Sequence, residues 1–164
     1  MNIKEKYISD KCHEIDSLLR QARIWAEGDP KLAAHLATYA NVIMLGMLED
    51  CIEYMVRKRA QKSGDPEIEH YISNHVSNSF RNPSYSKICE VLGQFSSEYK
   101  SEFQSRIKHD SSAVEALNSI LENKTNSAHL GLSNLNLSID DANGYFLRVI
   151  PIIEVLEDLL IINP

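Results

Sequence analysis

Apolar side chains recur along this chain at spacings of three and four, the signature of amphipathic helices. Ile15, Leu18, Leu19 and Ala22 make the first stripe, with Trp25 near its end. Gly28-Asp29-Pro30 then interrupts it; Asp29 suits an N-cap and Pro30 a first helical residue. The spacing predicts a long second helix from Pro30 to about Gln61, with Leu36, Ala40, Ile43, Met47 and Cys51 as its stripe and Leu48, Ile52, Met55 and Val56 widening it. So apolar a helix belongs at the centre of a bundle. Ser63-Gly64-Asp65-Pro66 repeats the cap-and-proline signal, and a shorter helix follows until Asn82-Pro83 stops it. One helix then carries Ile88, Val91, Leu92, Phe95, Tyr99 and Phe103. After a polar loop at Lys108–Ser112, the next carries Val114, Leu117 and Leu121 and ends near Gly131. Past a loop at Ser133–Leu137, Ser138 and Asp141 form a capping-box-like pair. The last helix holds Phe146, Val149, Ile150, Ile153, Leu156, Leu159 and Leu160, with Pro151 inside it as an expected kink. The pattern predicts an all-α fold, one bundle of about five or six helices. No repeat, low-complexity tract or long linker divides residues 1–164, so they read as one domain.

Composition agrees with a globular helical protein. Of 164 residues, 43% are hydrophobic and 24% charged, and Gly and Pro are few, which argues against a turn-rich sandwich or barrel. The net charge of −6 lowers the expectation of general nucleic-acid binding, which draws on clustered Lys and Arg, while leaving room for a local basic site. Arg57, Lys58, Arg59 and Lys62 form such a cluster at the end of the second helix. There they oppose the helix dipole favourably, and they are also candidates for guiding a phosphate-bearing substrate. Cys12, Cys51 and Cys89 stand apart in apolar stretches and read as buried free thiols, as suits a reducing cytoplasm. The first ten residues lack a signal-peptide core, and the longest uninterrupted apolar runs are short for a bilayer, so the expectation is a cytoplasmic protein without a membrane partner.

No GxGxxG or GxxxxGK[ST] phosphate loop and no HExxH helix occurs. His70 and His75 lie five apart, the wrong spacing for one helical face. No metal or other cofactor is expected. The informative segment is Leu121-Glu122-Asn123-Lys124-Thr125-Asn126-Ser127-Ala128-His129-Leu130-Gly131. The stripe of Val114, Leu117 and Leu121 continues in phase to Lys124, so a lysine stands where the pattern reserves an apolar residue, and poor helix formers sit beside it. Such local rule-breaking often marks a functional site. On an ideal helix His129 shares a face with Thr125 and Asn126, whereas Lys124 lies about 140° around the axis. The same residues also read as a snorkelling lysine and a hydrogen-bonded histidine near a helix end.

The run Lys124-Thr125-Asn126-Ser127-Ala128-His129 resembles the Arg-x4-His signature of the HEPN superfamily, closest to its RiboL-PSP-HEPN group, whose motif reads roughly Arg-Asn-x-x-Ala-His-Gly. Ala128 and His129 match directly, and Gly131 comes one residue late. Tyr39–Tyr54, with Leu48-Glu49 and Glu53, resembles the family's long second helix. Asn82–Phe103 resembles its Asn-Pro segment and next helix, and Ser138-Ile139-Asp140-Asp141 with the last helix resembles its ending. The resemblance implies a helical bundle that pairs as a homodimer, bringing two motifs into one cleft. It also implies metal-independent RNase chemistry, in which the RNA 2′-hydroxyl attacks the adjacent phosphorus, with roles in bacterial defence, toxin–antitoxin pairs or stress response. His129 would move a proton, Lys124 would hold the scissile phosphate, and Thr125 or Asn126 would orient the histidine; Arg57, Lys58 or Arg59 would guide RNA. The chain departs from the pattern at Lys124, which keeps the charge of the family's arginine but not its bidentate fork, and at Thr125, which replaces an Asn or Asp. The tyrosine that marks nucleotidyltransferase-associated members is Gly131 here. A catalytically inactive HEPN-like module that binds a protein partner such as an antitoxin is the alternative.

Overall fold

In a computed structural model of the chain, the apolar stripes close into helices around one core. The structure describes residues 1–79, 81–108, 111–130 and 137–163; at 76–79, 108, 111 and 127–130 the description is of the backbone alone. Among the described residues seven α-helices follow in order: α1 (Lys6–Trp25), α2 (Pro30–Gln61), α3 (Pro66–Ser79), α4 (Tyr85–Phe95), α5 (Ser97–Lys108), α6 (Ser111–Leu130) and α7 (Ile139–Glu157). A π-helical turn, Asp158–Ile162, finishes the last helix. Among the described residues there is no strand. The fold is thus an all-α bundle.

The predicted caps act as read. The Asp29 carboxylate accepts from Lys31 N and Leu32 N at 3.0 and 2.9 Å, with Pro30 opening α2. Asp65 accepts from Glu67 N at 2.9 Å and Ile68 N at 3.2 Å. Ser138 and Asp141 form a full capping box at the start of α7. Gly28 and Gly64, at φ +80° and +70°, carry the left-handed turns before these caps.

The count exceeds the expected five or six because the stretch from Ile88 to Phe103 is two helices. Ser96 is extended (φ −162°, ψ 135°), and its hydroxyl accepts from Glu98 N at 3.1 Å, so it ends α4 and caps α5. The expected loop at Lys108–Ser112 is also shorter, since α5 reaches Lys108 and α6 begins at Ser111. Gly131 and most of the expected loop at Ser133–Leu137 lie outside the described residues. Pro151 sits inside α7 and leaves the Leu147 carbonyl without its helical donor; Leu147 is exposed, where water can replace that donor.

α2 is the central helix, packed against α1, α3, α6 and α7. Tyr7 stacks on Tyr54 and Lys11 pairs with Asp50, so α1 and α2 run antiparallel. α7 closes the bundle against α1, α2 and α6. Its fully buried Glu157 carboxylate accepts from Lys4 N at 3.0 Å and Glu5 N at 2.5 Å, and Glu154 accepts from Asn2 N, which ties the N-terminal segment to the end of α7. By length and composition alone α2 could cross a bilayer, with a mean hydropathy of 1.2 over its most apolar window, 44% of which is buried in the bundle.

Candidate functional site around Lys124

α6 buries Ala113, Ala116, Leu117 and Ile120. Lys124 is in phase with Ala113, Leu117 and Ile120, so its Cα–Cβ bond leaves the helix on the core side. The stem is half-buried, and Nζ donates to Asn82 Oδ1 at 2.6 Å. Asn82 lies in the α3–α4 connection at φ +58°, a left-handed conformation that Asn tolerates better than most residues. Its backbone N–H donates to Glu49 Oε1 of α2 at 2.7 Å, and Pro83 behind it is buried. Three separate segments, α2, the Asn82-Pro83 connection and α6, therefore converge in one chain of charge-assisted hydrogen bonds from Glu49 through Asn82 to Lys124.

Beneath it lies a polar residue that periodicity did not single out. Asn41 of α2 is 1% exposed, and its Nδ2 donates at 2.9 Å to the carbonyl of Ile120, one helical turn before Lys124. Its Oδ1 is buried without a hydrogen-bond partner among the described residues. The signal available in the sequence was an amide inside the apolar run Tyr39–Leu48.

The other candidates divide. Thr125 is exposed and turns its hydroxyl back to the Leu121 carbonyl at 3.0 Å. Asn126 is half-buried. The backbone is helical through His129 to Leu130, but the His129 side chain lies outside the described residues. Five residues of regular helix separate Lys124 from His129 by about 140° and about 7.5 Å along the axis. Within one chain the two are therefore not brought onto one face.

Arg57, Lys58 and Arg59 follow one another at about 100° steps and meet different neighbours. Arg57 pairs with Glu53, Lys58 lies 5.5 Å from the Tyr54 ring centre, and Arg59 lies 5.8 Å from that of Tyr99. They also sit about 12–15 Å beyond Glu49 along α2. The structure thus spreads the cations around the helix instead of gathering them at Lys124. Lys62 donates to the Ile161 carbonyl.

His70 and His75 have local partners: Asn74 Nδ2 lies 3.0 Å from His70 Nε2, and the His75 ring stacks on Tyr71. Among the described residues no three His, Cys, Asp or Glu side chains are grouped as metal ligands. All three cysteines are free and buried. Burial, with Glu154 and Glu157 nearby, pushes the Cys12 thiol up to about 12, and burial likewise raises Cys51 and Cys89. None is a thiolate nucleophile at neutral pH in this fold.

Comparison of the chain with protein-family models, curated proteins and solved structures gave no match to any of the three.

Proposed function

We propose that the chain is a HEPN-type, metal-independent endoribonuclease that works as a homodimer, with a setting in bacterial defence, a toxin–antitoxin pair or stress response. The observation that carries this reading is the convergence of Glu49, Asn82 and Lys124. A lysine is fixed at the edge of the core by two segments distant in sequence, five residues before the histidine of the resembled motif. A positioned ammonium is suited to an anionic phosphate, and positioning is what a charge-stabilising group needs. Positions 124 and 129 are about 140° apart on a regular helix, so in this reading a phosphate between two copies meets the lysine of one and the histidine of the other. In this reaction the RNA 2′-hydroxyl loses its proton as its oxygen bonds phosphorus, and the 5′-oxygen leaves and gains a proton. The products carry a 2′,3′-cyclic phosphate and a 5′-hydroxyl. His129 transfers a proton, Lys124 stabilises the phosphorane charge, and Thr125 or Asn126 orients the histidine. Arg57, Lys58 or Arg59 guides RNA toward the cleft.

The test is total RNA incubated in EDTA, with cyclic-phosphate ends measured. His129→Ala should abolish cleavage, Lys124→Ala should lower it more than about tenfold, and Lys124→Arg should keep or raise it. Cleavage unchanged in His129→Ala refutes the reading. So does absence of cleavage by both wild type and Lys124→Arg while each is folded and dimeric.

A second reading, a non-catalytic interaction module for a protein partner such as an antitoxin, is favoured by the apolar side chains that α2 turns outward. Its mark would be a stable complex with a partner that is unaffected by His129→Ala.

A further inference from the structure

Asn41 of α2 is an amide set in an apolar interior. Ala37 and Leu45, one turn to either side of it, are buried, and so is Ile120 of α6, which it meets. Its Nδ2 donates to the Ile120 carbonyl at 2.9 Å, while Oδ1, equally buried, has no hydrogen-bond partner among the described residues. The amide cannot be turned over, since that would set its oxygen against the carbonyl oxygen. Nor does the carbonyl need the bond: in a regular helix it already accepts from the Lys124 N–H, four residues on. A buried polar atom left unpaired costs as much as a neutral bond returns, or more. For stability alone a leucine, with the same branching and the same number of heavy atoms, would serve better at this position. The use left to such a group is registry, the selection of one packing among several apolar ones.

We propose that Asn41 is a positioning residue for Lys124: it fixes α6 on α2 in the register that delivers the ammonium to Asn82. The inference rests on the reading of Lys124 as the phosphate ligand and adds the residue that places it. Apolar helix faces tolerate small slides and rotations, whereas a hydrogen bond has direction. A slip of α6 by one residue moves each side chain on it by about 100° around the axis and about 1.5 Å along it. The pinned carbonyl is the one that receives the Lys124 backbone N–H, so Asn41 acts at the root of this side chain. Asn82, itself held by Glu49, fixes its tip. Asn41 and Glu49 stand about 12 Å apart along α2. One rigid helix thus sets both ends of the lysine, which is how a charge-stabilising group is preorganised.

The test compares Asn41→Leu with wild type in the full chain. Its midpoint in urea should equal or exceed that of wild type. In proton–nitrogen spectra selective for lysine ammonium groups, the Lys124 signal, assigned by its loss in Lys124→Arg, should move or vanish in Asn41→Leu as it does in Asn82→Gly. With RNA, kcat should fall about three- to tenfold with KM little changed, since a misplaced charge-stabilising group weakens the transition state rather than binding. In a Lys124→Ala background, Asn41→Leu should lower kcat no further, because the group it places is gone. An Asn41→Leu protein less stable than wild type, with its Lys124 signal and kcat unchanged, overturns the proposal and makes Asn41 an ordinary core bond. A fall in kcat of the same size with and without Lys124 also overturns it. If Asn41→Leu does not fold, Asn41→Ala, which adds no bulk, decides by the same signal and kcat. If no RNA is cleaved but the signal and the midpoint respond as stated, the RNase reading fails and the placement of Lys124 by Asn41 stands.

Discussion

Glu157→Ala should be among the most costly single substitutions in this bundle. The N-cap of α1, Glu5, makes no capping bond with its own side chain, which instead accepts from the Tyr54 hydroxyl at 2.7 Å. The cap comes from the far end of the chain. Glu157, 1% exposed, receives the backbone N–H groups of Lys4 and Glu5, and its charge meets the positive end of the α1 dipole. A hydrogen bond to a charged group contributes about 1.5–3 kcal/mol, so two give about 3–6 kcal/mol. The first residues can peel away and find water once the carboxylate is gone, which brings the expected loss to about 2–4 kcal/mol. For a chain of this size that is a fall in Tm of roughly 5–15 °C. Urea unfolding of wild type, Glu157→Gln and Glu157→Ala measures it. The glutamine keeps one acceptor and should lie between the others, and hydrogen exchange at the amides of Lys4 and Glu5 should rise in the same order. A loss under about 0.5 kcal/mol for Glu157→Ala, with an unchanged m-value, would show that the buried carboxylate does not act as the cap.

Three further outcomes follow from other sites. Ser138→Ala removes one half of the capping box and should cost about 1 kcal/mol in the same urea assay. Bonds from Ser138 hold the Asp141 carboxyl below its usual range, and Arg106, 2.6 Å from Asp158, does the same there. Folded values below unfolded ones mean that their stabilisation is present above about pH 4 and is lost as pH falls through the folded values. Ser138→Ala and Arg106→Ala should each flatten the acid limb of a Tm–pH curve. At Asn82 the backbone and side-chain roles separate: Asn82→Gly keeps the left-handed conformation and loses only the bond to Lys124, whereas Asn82→Ala should cost about 1 kcal/mol more. Both should lower RNA cleavage if Lys124 is the phosphate ligand.

Where an element begins with its own chemistry, the sequence displays it. Asp29-Pro30, Asp65-Pro66 and Ser138 with Asp141 each started a helix as read. The break at Ser96 was hidden because the apolar positions Leu92, Phe95, Tyr99 and Phe103 stay in phase across it, so the period carries no trace of one extended residue; the clue was the pair Ser96 and Glu98, read as part of a continuing helix. At the site, the spacing identified Lys124 as a misfit on an apolar face but not its partner. In the sequence Asn82 is a helix stop before Pro83, and its bonds to Glu49 and Lys124 depend on how three segments pack. Likewise Arg57, Lys58 and Arg59 look like a cluster in one dimension and diverge in three, because neighbours on a helix point a quarter-turn or more apart.

The buried thiols make the protein a gauge of its own opening. A thiol-specific reagent needs an accessible thiolate, so Cys12, Cys51 and Cys89 are silent until the structure around them parts. They sit at different depths of the cooperative structure. Cys89 lies on α4, which packs chiefly on α5, whereas Cys12 and Cys51 lie on α1 and α2 in the middle of the bundle. Cys89 faces Lys100 and Gln104 of α5, so labelling there reports the parting of α4 from α5, and labelling at the other two requires the central helices to separate. In the regime where reclosing outpaces reaction, the ratio of the two rates is the ratio of two opening equilibria, read in native buffer with no engineered cysteine.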